Sequence, residues 1–141
     1  MQEFSRSLPM MLYRSLDAVM PRFRRIFSEF GLTEQQWRVL RVLWQHDEIA
    51  FRDLADLTLI PAPSLVGIVD RLGKNGLAKR RRSASDRRNV YVRATDKGKA
   101  LESEVGPRVD AAYAELRGSV DRKTWDALIR GLERISSIDN E

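Results

Sequence analysis

The sequence predicts a mainly α chain that carries one β-hairpin and has long helices at both ends. Three features lead there: apolar residues at helical spacing near each terminus, two short helical stretches parted by TLIPAPS, and an alternating VYVRA that follows a cluster of arginines. With 141 residues the chain has room for one substantial core, so residues 1–141 read as a single unit.

In chain order, Leu8, Met11, Leu12, Leu16, Val19, Phe23, Ile26, Phe27 and Phe30 lay an apolar stripe along a first helix. Pro21 is a point of kinking and Gly31 a stop. Thr33 followed by Gln36 has the pattern of a capping box for a second helix, whose apolar positions include Trp37, Leu40, Leu43 and Trp44. Phe51, Leu54, Ala55 and Leu57 mark a short third helix. A fourth is expected from about Ser64 to Asn75, because Pro61 and Pro63 fit before or within a first turn better than deep in a helix. There Leu65, Ile68 or Val69, and Leu72 face inward, leaving Ser64, Gly67 and Arg71 open. Gly76 ends this helix, and Leu77–Arg82 with Val90–Ala94 form a short antiparallel pair. Val90, Val92 and Ala94 share one face, Tyr91 and Arg93 the other. An isolated hairpin is only marginally stable, so the apolar face is expected to pack on the preceding helices. Thr95 opens a helical tail with Leu101, Val105, Val109, Ala112, Tyr113 and Leu116 on an interrupted stripe that Pro107 weakens. After GSVD, Trp125, Leu128, Ile129, Leu132, Ile135 and Ile138 mark a last helix. The end helices carry more apolar stripe than the central module needs, which points to a dimer interface, with a compact monomeric core as the alternative.

Charge is concentrated. Residues 71–93 hold nine Lys/Arg against Asp86, a local +8 in a chain of net +5. The remainder is therefore at −3, and the positive window is where a polyanion is attracted. The absence of Cys excludes disulfides, thiolate metal ligands, a cysteine nucleophile and thiol redox sensing. His46 is the only histidine, which argues against a histidine-rich metal site or a His-based triad. No metal or cofactor is expected. No apolar run approaches 18 residues and MQEFSRSLPMM lacks a signal core, so a soluble cytoplasmic protein with no membrane partner is the expectation.

Two short helices followed by a basic hairpin make a winged helix-turn-helix, with residues 51–75 as the helical pair and 79–94 as the wing. Such a recognition helix fits a duplex major groove, and the hairpin approaches phosphates or the adjacent minor groove. Ser64 is placed either to bond DNA or to cap its helix. Arg71 is placed to contact DNA or a protein carboxylate, and Pro63 to shape the helix start or touch a base. Arg87 and Arg88 are the sharpest wing candidates, since a planar guanidinium suits phosphate and the negative potential of a narrow minor groove. Asp86 would repel phosphate and so reads as support for a nearby arginine and the turn. Arg80, Arg81 and Arg82 alternate along a strand and do not all face DNA together; Arg80 and Arg82 are taken as the DNA-facing pair.

At these residues the sequence resembles the MarR family of winged-helix transcriptional regulators. The resemblance runs through LTEQQWRVLRVL, FRDLADLTLIPAPSLVGIVDRLGKNGLAKR and SDRRNVYVRATDKGKAL, and is most specific in the order VDRLGKNGLAKR, DRRN, VYVRATDKG. Ala94 stands where the family commonly has leucine before the Thr of its LT-x-x-G stretch. The resemblance implies that the family's Asp-x-Arg element falls on Asp86 and Arg88, with the arginine in the minor groove and the aspartate positioning it. It also implies a homodimer that reads adjacent half-sites of double-stranded operator DNA. The winged helix-turn-helix then covers 34–95, and 1–32 with 96–141 form the helical dimerisation region.

LTEQQWRVLRVL and PSLVGIVDRL further resemble the subgroup repressing degradation operons for aromatic compounds such as homoprotocatechuate. That subgroup implies release by a small aromatic or phenolic carboxylate bound between the dimerisation helices and the DNA-binding region. Tyr13, Arg14, Trp37 and Arg38 are the candidate contacts: arginine for the carboxylate, rings for the aromatic body. The bland alternatives are a core Trp37, a surface or salt-bridging Arg38, and a Tyr13/Arg14 pair that does not converge with them. Competing functions are a non-catalytic dimeric module whose basic wing binds an acidic protein, and an activator of the same fold. A small hydrolase is disfavoured, because no nucleophile, base or metal cluster recurs at useful spacing.

Overall fold

A computed structural model describes residues 1–138; residues 139–141, the end of the expected C-terminal dimerisation region, lie outside the described part. After a 3₁₀ turn at Phe4–Arg6 come α1 (Leu8–Glu29), α2 (Glu34–Trp44), β1 (Ile49–Ala50), α3 (Phe51–Thr58) and α4 (Ala62–Lys74). The chain continues through β2 (Ala78–Arg82), β3 (Val90–Ala94), α5 (Asp96–Gly118) and α6 (Arg122–Ser136). A mainly helical chain with a wing between flanking helices is the class the sequence predicts.

Most helices begin where a side chain or a proline relieves the unpaired N–H groups of the first turn. Thr33 Oγ1 accepts from the Gln36 amide at 3.1 Å, and Gln36 Oε1 accepts from the Thr33 amide at 3.0 Å, a complete capping box. Thr33→Ala is expected to lower stability by about 1 kcal/mol, read as a lower urea midpoint that Thr33→Ser restores; an unchanged midpoint would show that the box contributes nothing. The expected start of α4 moves: the helix opens at Ala62 after Pro61, with Pro63 in the first turn, where a missing N–H costs no helical bond. Ser64 therefore lies inside the helix rather than at its cap. Thr95 caps α5 by accepting from the Gly98 amide at 3.0 Å. Asp121 caps α6 by accepting from the Thr124 amide at 2.7 Å, and that bond holds its carboxyl below the usual range. Helix α1 continues through Pro21, and α5 through Pro107.

The expected two-stranded hairpin is a three-stranded antiparallel sheet in the order β1-β3-β2. Ala78 pairs with Ala94, Arg80 with Val92 and Arg82 with Val90, while Ile49 of β1 pairs with Val92 from the other side. The added strand has two residues, too few to show an alternation, yet it anchors the wing to the body through buried Ile49.

One core joins Phe23 and Phe27 of α1, Leu40 and Leu43 of α2, Leu54 of α3, Leu65 and Leu72 of α4, Val92 of β3 and Val105 of α5. Each such side chain contributes about 1.5–3 kcal/mol by leaving water. Phe27 stacks on Trp37 at a centroid distance of 4.6 Å, Trp37 meets Trp44 edge-on at 5.4 Å, and Phe23 lies 4.8 Å from Tyr113. The stripe of α1 is split: its C-terminal half is in this core, while Leu8, Met11, Leu12 and Leu16 are exposed. Helix α6 buries no residue, and Leu128, Ile129, Leu132 and Ile135 face out. Among the described residues these two apolar faces have no covering element. No helix of the described residues is long and apolar enough to cross a membrane.

Candidate nucleic-acid interface

Helix α4 buries Leu65, Ile68, Val69 and Leu72, so its opposite side is presented outward. That side carries Pro63, Ser64 and Arg71, all exposed. The Ser64 side chain makes no hydrogen bond among the described residues. Arg71 donates from Nε to the Gly67 carbonyl of its own helix at 3.2 Å. No carboxylate pairs with Arg71 among the described residues.

Strand pairing separates the wing arginines. Arg80 and Arg82 share the face that looks toward α4, and Arg81 shares the opposite face with Tyr91, its partner across the strands. Arg81 is held there by Glu48, with N–O distances of 2.5 and 3.2 Å, and lies 4.8 Å from the Tyr91 ring centroid. The hydrogen bond from Arg81 holds the Glu48 carboxyl below its usual range. Arg81 is thus the arginine that the alternation leaves on the face opposite Arg80 and Arg82. Arg80 reaches α4, with Nη1 2.9 Å from Asp70 Oδ1, so this candidate DNA contact is in the unbound protein an ion pair tying wing to helix. Arg82 donates from Nη1 to the Arg87 carbonyl at 3.2 Å across the turn.

The wing tip is built around Asp86. Its Oδ1 accepts from the Arg88 amide at 3.0 Å and from Arg88 Nε at 3.3 Å, and its carbonyl accepts from the Asn89 amide at 3.0 Å. Ser83 Oγ accepts in turn from the Asp86 amide at 3.3 Å. The Arg88 side chain is nevertheless 91% exposed. One edge of its guanidinium is fixed and the rest projects into solvent. Between wing and helices lies a groove of about 830 Å³, walled by Arg80, Arg82 and Arg88 on one side and by Ala62 and Val66 on the other.

The four candidate effector contacts are not brought together within a protomer. Trp37 lines a cavity of about 160 Å³ with Arg41, Trp44, Tyr113, Glu102 and Asp110. Arg38 points elsewhere and donates to the carbonyl of Thr58 at the end of α3. Tyr13 and Arg14 lie on the exposed half of α1. Arg41 rather than Arg38 is beside Trp37, its guanidinium carbon 6.0 Å from the Trp37 ring centroid. Trp37, Arg41 and Trp44 stand at helical spacing on one side of α2, a signal legible in the sequence; the approach of Tyr113 from α5 is not.

The MarR family model matches residues 32–90, the stretch from the start of α2 through the wing tip. The chain is 35% identical over 129 residues to the HTH-type transcriptional regulator FarR of Neisseria gonorrhoeae, covering 92% of this chain and 88% of that protein. It is 33% identical over 134 residues to the homoprotocatechuate degradative operon repressor of Escherichia coli, covering 95% and 90%. Among solved structures, that of NadR in complex with 4-hydroxyphenylacetate superposes with a TM-score of 0.81 at 33% identity, covering 99% of each chain.

Proposed function

Since this chain belongs to the MarR family of regulators, and is thereby a DNA-binding transcriptional regulator rather than an enzyme, we propose that it is a homodimeric repressor released by a small aromatic carboxylate. The observation that carries the reading is the α4–wing surface: an outward helix face beside a wing whose Arg88 is both aimed by Asp86 and open to solvent. In it α4 enters the major groove and Arg88 the adjacent minor groove. Arg82 and Arg87 meet phosphates, Ser64 and Arg71 contact phosphate or base edges at the helix, and Pro63 sets how the first turn approaches them. Arg80 exchanges between Asp70 and phosphate.

Dimerisation is supported by the uncovered apolar faces of α1 and α6, which a second copy would bury. Residues 34–95 then form the DNA-binding region, with 1–32 and 96–141 joining the protomers. Tyr13 and Arg14 lie on the exposed half of α1 but off its apolar stripe, Arg14 on the opposite side of the helix.

We place the effector in the cavity of Trp37, Arg41, Trp44 and Tyr113, with its carboxylate on Arg41, its phenol toward the Glu102 and Asp110 carboxylates of the same lining, and the rings on its aromatic body. Relatives whose names specify homoprotocatechuate and 4-hydroxyphenylacetate support that chemistry. The cavity lies between α2 and α5, and the Trp44 indole N–H donates to the Gly98 carbonyl at 2.8 Å beside the base of the wing. A ligand that binds more tightly when α2 and α5 are displaced shifts the dimer away from its DNA-competent form.

Genome-wide mapping of bound sites, read with transcript levels in a deletion strain, tests this. Bound promoters whose transcripts rise on deletion are expected; absence of preferred sites, or a fall in those transcripts, would overturn repression. For the effector, 4-hydroxyphenylacetate is expected to quench tryptophan fluorescence on titration. Arg41→Gln is expected to weaken that binding tenfold or more, by about 1.5–3 kcal/mol, with operator affinity unchanged. Equal ligand affinity in both proteins would remove Arg41 from the site.

A further inference from the structure

Beside the polar Ser64 and Arg71, the outward side of α4 carries a strip without polar side chains. Opposite its buried stripe the crest is formed by Pro63 and Gly67, one turn apart, and the flank toward the wing by Ala62 and Val66. Neither pair carries a side-chain hydrogen-bond donor. Val66 is 43% exposed and stands in the groove that Arg80, Arg82 and Arg88 line. It is remote in sequence from the apolar faces of α1 and α6 that a second copy would cover. Gly67 has no packing reason to lack a side chain: a Cβ there would meet only the Arg71 Nη2 atom, at 3.3 Å, the end of a flexible exposed side chain. A glycine inside a helix is unfavourable relative to alanine, so its retention at the crest fits a helix axis that must come close to its partner.

We infer that Val66, with Ala62 beside it, reads the C5-methyl group of a thymine in each operator half-site, and that bare Gly67 sets the depth at which α4 makes this contact. The inference rests on the DNA-binding reading above. Its chemistry follows from what a duplex offers: the thymine methyl is the apolar group on the base edges of the major groove, and Val66 with Ala62 is the exposed apolar pair on the helix proposed to enter it. Direct readout by the Ala62–Val66 flank of α4 is then a contact of shape and methyl, while Ser64, Arg71 and the wing supply the polar contacts.

The test uses the full-length protein and its selected operator duplex, with each thymine replaced in turn by uracil, which removes only the methyl. For wild type, one position in each half-site is expected to lose about fourfold in affinity, the effect of one buried methyl group. Val66→Ala is expected to bind the thymine and uracil duplexes alike at that position. Val66→Thr, of nearly the same shape, is the second variant and is expected to keep the discrimination. Gly67→Ala is expected to weaken operator binding at least tenfold without lowering the urea midpoint, in both wild-type and Arg71→Ala backgrounds. The inference is overturned if no thymine is coupled to Val66, including the case in which Val66→Ala weakens all duplexes equally through a sugar contact. If operator preference over scrambled DNA persists in that event, only the methyl readout fails. If wild type shows no such preference, the DNA-binding reading fails and this inference with it.

Discussion

Arg88→Ala is expected to weaken operator binding by roughly 10- to 100-fold, or about 1–3 kcal/mol, and to relax preference at the base pairs beneath the wing. The side chain is 91% exposed, so the loss is not a folding defect. Its effect exceeds that of Arg80 and Arg81 because the positions of those two are already committed. Arg81 is drawn to Glu48 on the far face of the sheet, and Arg80 must leave Asp70 before it can meet a phosphate. Arg88 is fixed at one edge by Asp86 and offers the remainder of its fork outward. Arg88→Lys keeps the charge but loses both the planar fork and the Nε bond, so it is expected to recover phosphate attraction without the groove fit. Competition binding with operator and scrambled duplexes separates these effects; equal operator affinity in wild type and both variants would reject the role.

Gly98→Ala is expected to cost about 3 kcal/mol or more, since overpacking here meets backbone rather than a movable side chain. A Cβ at Gly98 would stand 2.2 Å from the Leu77 carbonyl oxygen and 3.1 Å from its carbon. The contact is at a junction of three elements. The Gly98 amide caps α5 through Thr95, its carbonyl accepts from Trp44 of α2, and the Leu77 carbonyl also accepts from the Thr95 amide at 3.1 Å. Relieving the clash means moving α5 away from the base of the wing. A lower urea midpoint, together with weakened operator binding at temperatures where the protein is still folded, is the expected result. A midpoint equal to wild type would show that the junction yields freely.

The architecture was legible wherever one periodicity or one capping pattern decides the outcome. Thr33 and Gln36 cap α2 as their spacing foretells, and the alternation in VYVRA puts Val92 and Ala94 inside. The start of α4 was less legible, because Ser64 has the chemistry of a cap and only the chain geometry after Pro61 places it in the helix interior. Strand β1 was invisible, since Ile49 and Ala50 are a strand only by pairing with Tyr91 and Val92 far along the chain. The same limit governs the site. Alternation says that the arginines of β2 divide between two faces, but which are free for DNA depends on Glu48 and Asp70, brought near by the fold. Trp37 and Arg41 line one cavity while Arg38 turns to the end of α3, a division that the sequence spacing alone does not decide.

The most direct measurement of DNA binding through the α4–wing surface is an equilibrium titration of the selected operator and a scrambled duplex over a series of salt concentrations, with Arg88→Ala beside wild type. Operator binding is expected to be tighter than scrambled binding throughout, to weaken steeply as salt rises through release of counterions from the contacted phosphates, and to lose most of its preference in the variant. Equal affinity for the two duplexes, or binding indifferent to salt, would contradict it.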